Sequence, residues 1–513
     1  MSDSFMTTVF FVLVLILSLV VHYYYITNFT RVARLCNKFP GDKRLYPFLG
    51  NAVSIMGPIT EIQSKMTAYC EKYGRVCLSW WFYEPKICIA DATTVEKILS
   101  SSFHIEKGPE YEPLKANLHD GLLTSSGEKW RRDRKLLNPG FARQQMDRFV
   151  HICNKKSKIL IERLAAQFKQ CKNTGATNFL PHFTNVALEI VFESGLGTEL
   201  CVQSDGQHSK FATSIETIAR LLQVRLFNPW LVKIPLLFKI FGYEKVEKDA
   251  VEYCTQFVKR AWRCKKNEIE IANETCASEK GDEECNIKTK NKHFIDLLLE
   301  ANLGSEKYCI DHLTTLVIAG ADTTANSINN TLLYLALNPE CQKLCHETID
   351  SVFSQYNGDL TIGALSELKY LEMCWKESLR LWPVINGITR RIMRDIELDN
   401  GLIIPKGCDV IISLYDLHRD AKIFPNPSVF NPDRFTEEAS ASRSSFAWIP
   451  FGAGIRNCIG FKHSTLESKI ILAHFLRKYQ VSTPLVERQV KFVAGIVSSA
   501  HPTIKLSLME RCI

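Results

Sequence analysis

The chain has 513 residues, and an apolar content of 46% is ample for a large core. A net charge of +8 without a dense basic tract gives nucleic-acid binding little support, and leaves an anionic membrane surface or an acidic protein partner compatible. The 18 cysteines show neither repeated CxxC spacing nor a paired framework, which argues against a disulfide scaffold and for a reducing compartment.

The first predicted element is apolar. Phe5 to Val21 is interrupted only by Thr7, Thr8 and Ser18, and Tyr23, Tyr24, Tyr25 and Ile26 extend it. That is roughly 20 residues, enough to cross a bilayer. Arg31, Arg34, Lys38, Lys43 and Arg44 follow, so the positive-inside rule puts the remainder in the cytosol. A cleaved signal peptide would carry basic residues before the run and small residues at its end. Neither is present, and residues 1–30 read as a retained membrane anchor. The sequons at Asn28, Asn273 and Asn329 would then stay unmodified. Residues 31–51, with Phe39-Pro-Gly41 and Pro47-Phe-Leu-Gly-Asn51, read as a basic, Pro/Gly-punctuated connector to a body at 52–513.

Within the body, helical periodicity dominates residues 150–350, and short β-rich stretches are expected near 76–90, 386–398, 402–414 and 479–507. The predicted class is mainly α with a small β-rich part. Trp130 and Arg134 stand i,i+4 on a predicted helix that also carries Arg131, Arg132 and Lys135. On its own this is a basic helix face. Residues 226–243, with Trp230, Pro229 and Pro235, would be ordinary as core. The polar run 272–292 reads as a solvated loop.

A long helix is predicted from Cys309 to Leu337, ending at Asn338-Pro339, roughly 43 Å at 1.5 Å per residue. Its middle reads Ala319-Gly-Ala-Asp-Thr-Thr324. An interior glycine costs about 1 kcal/mol against alanine, so Gly320 needs a reason, such as close approach of a flat cofactor. Asp322 and Thr323 put an acid and an alcohol in an apolar stretch. Taken alone, Thr323 would bond back to a carbonyl and Asp322 would face solvent. Further on, Glu377 and Arg380 are three apart and meet on one helix face.

The last element is Phe451-Gly-Ala-Gly-Ile-Arg-Asn-Cys-Ile-Gly460, followed by helical spacing at Leu466, Ile470, Ala473 and Leu476. A cysteine at a helix N-terminus meets the positive end of the dipole and free N–H groups, which favour thiolate. Gly452, Gly454 and Gly460 let the backbone fold round the sulfur or press on a flat partner. A buried thiolate at Cys458, with Arg456 nearby and no second cysteine, suits iron better than zinc. A dinucleotide loop would need glycine where Asn457 stands. The ten-residue pattern resembles the haem-binding loop of the cytochrome P-450 family, with Phe451, Gly454, Arg456, Cys458 and Gly460 each on a motif position.

The resemblance covers nearly the whole chain. It is strongest to the microsomal clan of fatty-acid ω-hydroxylases and their arthropod relatives, through Phe39–Gly41, Pro47–Asn51, Trp130–Phe141 and Leu417-His-Arg-Asp420. It implies the cytochrome P-450 fold, one large haem domain behind a transmembrane helix. It implies haem b (iron protoporphyrin IX) with Cys458 as the iron ligand, and Phe451, Gly320 and Gly460 against the haem. Trp130, Arg134, Arg390 and Arg456 match propionate-binding positions, with Arg391 a close competitor for Arg390. Asp322 and Thr323 match the catalytic acid–alcohol pair that passes protons to dioxygen. Glu377, Arg380 and Arg434 match a structural triad.

The activity implied is insertion of one oxygen atom of O2 into a fatty acid, hormone-like lipid or xenobiotic. Val384 to Ile388 and Ile496 to Ser499 match substrate-contacting loops, and residues 226–243 match a loop that dips into the bilayer. No flavin- or nicotinamide-binding sequence is recognisable, so electrons would come from an NADPH-dependent flavoprotein reductase docked on Arg131, Arg132, Lys135 and Lys462, with cytochrome b5 as a further partner. The implied location is the endoplasmic reticulum membrane, with the catalytic domain on the cytosolic side. Ala319 stands where many clan members carry a glutamate esterified to haem, so haem should be non-covalent apart from the Cys458–iron bond. Asn386, Phe461, His463 and Ser464 also depart from the clan and blur the subfamily. Two other classes are a haem-thiolate isomerase or dehydratase acting on peroxides, whose members commonly lose the acid–alcohol pair, and a non-enzymatic haem sensor.

Overall fold

The apolar run forms a single helix, Ser2–Asn28, whose segment Phe5–Asn28 is long and apolar enough to cross a membrane and is exposed from Phe5 to His22. The computed structural model describes residues 2–512 apart from 44–45, 47, 172–174, 205–208, 279–292, 302–304 and 357. Mainly helical with a small β-rich part, it has the predicted class.

The chain divides into two compact units. The first comprises Met1–Pro109, Gly387–Pro427 and Ser444–Asn457. The connector enters it partly as a helix, Arg31–Cys36, because Thr30 Oγ1 accepts the N–H of Ala33 at 3.2 Å and so caps it. Further along, the connector is bridged to the strand Val76–Trp81 at two points, Gly41 to Leu78 and Gly50 to Trp81. A Cβ at Gly41 or Gly50 would collide with the carbonyl oxygens of Leu78 and Trp80, which explains both glycines. Strands Val76–Trp81, Glu84–Ile89, Asp409–Ser413 and Gly387–Arg391 lie in that order in one sheet, paired antiparallel, parallel and antiparallel. Ile87, Ile89, Val410 and Ile412 join Val95 and Ile98 of the helix Ala92–Leu99 in this unit's core.

The second unit comprises Glu110–Asn386, Ser428–Arg443 and Cys458–Ile513. Its axis is the helix Glu306–Leu337, which begins three residues before the predicted start and stops at Asn338. It packs against helices Leu180–Val191, Tyr243–Ser278, Lys369–Leu381 and Phe461–Lys478. Such a helix is buried all round and can carry polar groups only where they find partners. Ser327 Oγ stands 3.2 Å from Ser468 Oγ, and Thr331 Oγ1 stands 2.7 Å from Ser378 Oγ. These hydroxyls tie the long helix to the helix after Cys458 and to the helix of Glu377.

The polar run 272–292 departs from the loop expectation in part: residues 272–278 continue the helix Tyr243–Ser278, and 279–292 lie outside the described residues. Residues 226–243 form the short helices Pro229–Lys233 and Pro235–Ile240. Leu231 and Phe238 are buried there, but Ile234, Leu236, Ile240 and Phe241 are exposed, so the segment is not ordinary core.

Candidate active site

In the first unit the cysteine loop opens with a turn in which Gly452 donates its N–H to the Ile449 carbonyl at 2.9 Å. Gly454 has φ +68°, and a Cβ there would collide with the Leu99 carbonyl oxygen. This position therefore needs glycine for two reasons at once. Arg456 donates Nε–H to the Ile105 carbonyl at 3.0 Å. Phe451 is half-buried.

The strand Gly387–Arg391 sends Arg390 and Arg391 to opposite faces. Arg391 places Nε and Nη2 on the two oxygens of Asp409, each at 2.8 Å. Arg390 is buried and donates to the Thr389 carbonyl at 2.8 Å. Arg391 is thus engaged by Asp409. Arg390 and Arg456 come together with a third cation that sequence reading missed. Burial, and then the charges of Arg390 and Arg456, hold the Lys107 ammonium well below its ordinary range. Like charges brought close together favour an anion beside them. The cluster fits a cofactor bearing carboxylates. Lys107 gave no signal of its own, since it is one of the chain's 63 lysines and arginines and lies outside any recognised motif.

In the second unit Cys458 is exposed. Burial nevertheless pushes its thiol up, and the Gly460 N–H and the Arg134 charge offset that only in part. Cys458 stands two residues before Gly460, the N-cap of the helix Phe461–Lys478, and it is this N-terminal N–H that favours the thiolate. A thiolate here needs a cation at the sulfur, which a metal ion would supply. Among the described residues no group of three or more His, Cys, Asp or Glu could hold a metal ion. A metal at Cys458 would thus rely on ligands brought by its own macrocycle, as iron does in haem. At Gly460 a Cβ would make only ordinary contacts, with Phe141 and the Cys458 sulfur.

Trp130 is buried on the helix Gly127–Leu137, and Arg134 donates Nε–H to Asn138 Oδ1 at 2.9 Å. Between them Asp133, fully buried, accepts from Tyr308 Oη at 2.7 Å, Lys129 Nζ at 3.0 Å and Arg132 Nε at 3.1 Å, and lies 3.2 Å from His312 Nε2. Burial alone would raise the Asp133 carboxyl, but His312, Tyr308 and Lys129 together hold it below the carboxylate range. This node fixes the Trp130–Arg134 helix to the long helix. An acid inside Trp130-Arg-Arg-Asp-Arg134 was its only trace in the sequence.

On the long helix, Thr323 Oγ1 donates to the Ala319 carbonyl at 2.8 Å, so the back-bond expected of an isolated threonine is present. Asp322 is half-buried and its carboxyl is raised to about 6. Burial is the main cause and the Glu216 charge adds to it, while a hydrogen bond from Asn326 opposes them. Gly320 has a protein neighbour: a Cβ there would stand 2.9 Å from Val191 Cγ2, on the helix Leu180–Val191. Close helix packing accounts for this glycine without a cofactor.

Glu377 and Arg380 are fully buried and joined twice, at 2.7 and 2.8 Å. Arg434 Nε stands 3.4 Å from Glu377 Oε1, which also accepts the N–H of Asn431 at 2.8 Å. All three members of the expected triad meet.

Comparison with known proteins agrees with these features. The Cytochrome P450 family model matches residues 40–508. The chain is 32% identical over 466 residues to Cytochrome P450 4c3 of Drosophila melanogaster, covering 88% of this chain and 85% of that protein. It is 33% identical over 467 residues to Cytochrome P450 4V2 of Homo sapiens, covering 89% and 87%. With Cytochrome P450 4c21 of Blattella germanica it shares 31% over 513 residues, covering 98% and 99%.

Proposed function

The chain belongs to the cytochrome P450 family of haem-thiolate monooxygenases, and on that premise we propose that it is membrane-anchored and inserts one oxygen atom of O2 into a lipophilic substrate. The family's haem b is held by a cysteine–iron bond, and Cys458 is the cysteine on the motif position. Thiolate-ligated haem supplies the oxygen-activating chemistry. Cys458 would hold the iron and lend it electron density, and Arg390, Arg456 and Lys107 would hold propionate carboxylates, a role that the resemblance also gives to Trp130 and Arg134. The resemblance would likewise put Phe451, Gly460 and Gly320 near the haem, Gly320 being needed for helix packing in any case. Asp322, raised to about 6, would hold and release a proton near neutral pH, with the hydroxyl of its neighbour Thr323 as the relay. The single observation that carries the reading is the glycine-pinned loop that delivers one cysteine, with no cluster of three or more metal-ligating side chains among the described residues.

The helix Ser2–Asn28 supports the anchor, and the basic residues after it support a cytosolic catalytic domain at the endoplasmic reticulum. Exposed Ile234, Leu236, Ile240 and Phe241 suit a second contact with lipid. An NADPH-dependent flavoprotein reductase, with cytochrome b5 as a further donor, would dock on exposed Lys135 and Lys462. Arg131 and Arg132 are already engaged by Glu128 and Asp133. Substrates would be fatty acids, hormone-like lipids or xenobiotics, since large apolar pockets take all three.

The test is NADPH-dependent oxygen uptake with purified reductase across a lipid panel, with the ferrous–CO spectrum of wild type and Cys458→Ser. Reductase-driven products, and a red-shifted Soret band lost in the variant, are expected. Turnover of hydroperoxides without reductase would point to the isomerase class instead. A red-shifted band surviving in Cys458→Ser would remove Cys458 as the ligand.

A further inference from the structure

The segment Leu417-His-Arg-Asp420 follows the strand Asp409–Ser413. His418 in it is fully buried, directly after the short helix Leu414–Leu417, with its backbone N–H on the Leu414 carbonyl at 3.0 Å. Its ring Nε2 accepts the backbone N–H of Ile449 at 2.9 Å. Ile449 is buried too, and Pro450 after it has no N–H to offer. The carbonyl of that same Ile449 accepts the Gly452 N–H and closes the turn that opens the cysteine loop. Gly454 against Leu99 and Arg456 on Ile105 hold the loop further along, and His418 holds it where it begins.

Contacts on either side of His418 hold the backbone that carries it. Asp420 pairs with Arg75 at 3.2 Å, and Arg75 also donates to the carbonyls of Ala90 at 3.1 Å and Asp416 at 3.2 Å. A ring nitrogen that accepts carries no proton, so His418 is the neutral tautomer protonated at Nδ1.

We infer that His418 is a positioning residue for the thiolate ligand: by accepting the Ile449 amide it fixes the direction in which the loop runs to Cys458, nine residues on. A phenyl ring at 418 would fill the same space but leave the Ile449 N–H orphaned, which the loop can relieve only by shifting. A glutamine keeps an acceptor near the place of Nε2.

The inference rests on Cys458 as the ligand and is tested on the holoenzyme with His418→Phe and His418→Gln. At equal haem content, His418→Phe is expected to lose more than half of the red-shifted ferrous–CO band to the blue-shifted form and to convert several-fold faster on standing. His418→Gln should restore most of the wild-type band. If His418→Phe keeps the wild-type band and its lifetime, the inference fails. If the wild type itself lacks the red-shifted band, Cys458 is not the ligand and the inference falls with it. Should His418→Phe not fold, amide hydrogen exchange on the wild type decides: the Ile449 amide should exchange orders of magnitude more slowly than the exposed amides of 440–445. Equal exchange would show that His418 does not hold it.

Discussion

Asn326, one turn beyond Asp322 on the long helix, donates from one side-chain nitrogen both to the Asp322 carbonyl at 2.9 Å and to its carboxylate Oδ1 at 3.0 Å. That amide favours the charged carboxylate, yet burial and Glu216 prevail and raise the group to about 6. The unfolded chain titrates near 3.9. Between about pH 4 and 6 the folded state therefore binds more protons than the unfolded one, and this group's contribution to stability falls as pH rises through that window. Replacing Asp322 by asparagine removes the effect. The stability difference between variant and wild type should move in the variant's favour by up to about 2–3 kcal/mol from pH 4 to pH 7. Chemical denaturation across that range measures it, and a pH-independent difference would contradict the assignment.

The Glu377 carboxylate accepts from Arg380 twice, with Arg434 3.4 Å away, and none of the three is on the surface. Breaking such a pair leaves a buried charge uncompensated and costs about 3–5 kcal/mol. Glu377→Gln should therefore lower the melting temperature sharply and reduce haem retention. Arg380→Lys should do much the same, since an ammonium cannot reproduce the two-point contact. A loss below about 0.5 kcal/mol for Glu377→Gln would mean that the node is dispensable.

Lys107 offers a prediction of opposite signs. It sits with Arg390 and Arg456, so Lys107→Met should relieve repulsion in the haem-free protein and raise its melting temperature. In the proposed haem complex the same change would remove a propionate partner and should speed transfer of haem to an acceptor apoprotein. Calorimetry of the apoprotein and a haem-transfer assay read the two effects separately. Loss of stability in both forms would make Lys107 a plain packing residue.

These cases show where the sequence was legible. Fold class, the span of the long helix and all four β-rich stretches follow from periodicity and punctuation, because both are local properties of the chain. Cys458, Gly454 and the triad of Glu377, Arg380 and Arg434 were legible as motif positions. Lys107 was not, because its role depends on two arginines more than 280 residues away in sequence. Asp133 was half-visible, since an acid among arginines hints at a node but says nothing of Tyr308 or His312. Cys458 does stand at the start of a helix, two residues before its cap Gly460, and the Gly460 N–H favours its thiolate; the opposing burial of the sulfur depends on the tertiary packing and was not legible.

Gly320 was read from sequence as making room for a flat cofactor, and the structure supplies another reason. A methyl group at that position would stand 2.9 Å from Val191 Cγ2, inside van der Waals contact. Val191 is buried and stiff at χ1, so it cannot swing aside cheaply. Overpacking of this kind costs about 1–3 kcal/mol, against a gain of about 1 kcal/mol from placing alanine in a helix interior. Gly320→Ala should thus be neutral to destabilising by about 2 kcal/mol in wild-type background. With Val191→Ala the clash is gone and only the propensity gain remains. The two substitutions should couple by about 1–3 kcal/mol in a double-mutant cycle on the haem-free protein. If the glycine serves haem alone, the cycle shows no coupling there, and Gly320→Ala harms only haem binding, whatever residue stands at 191.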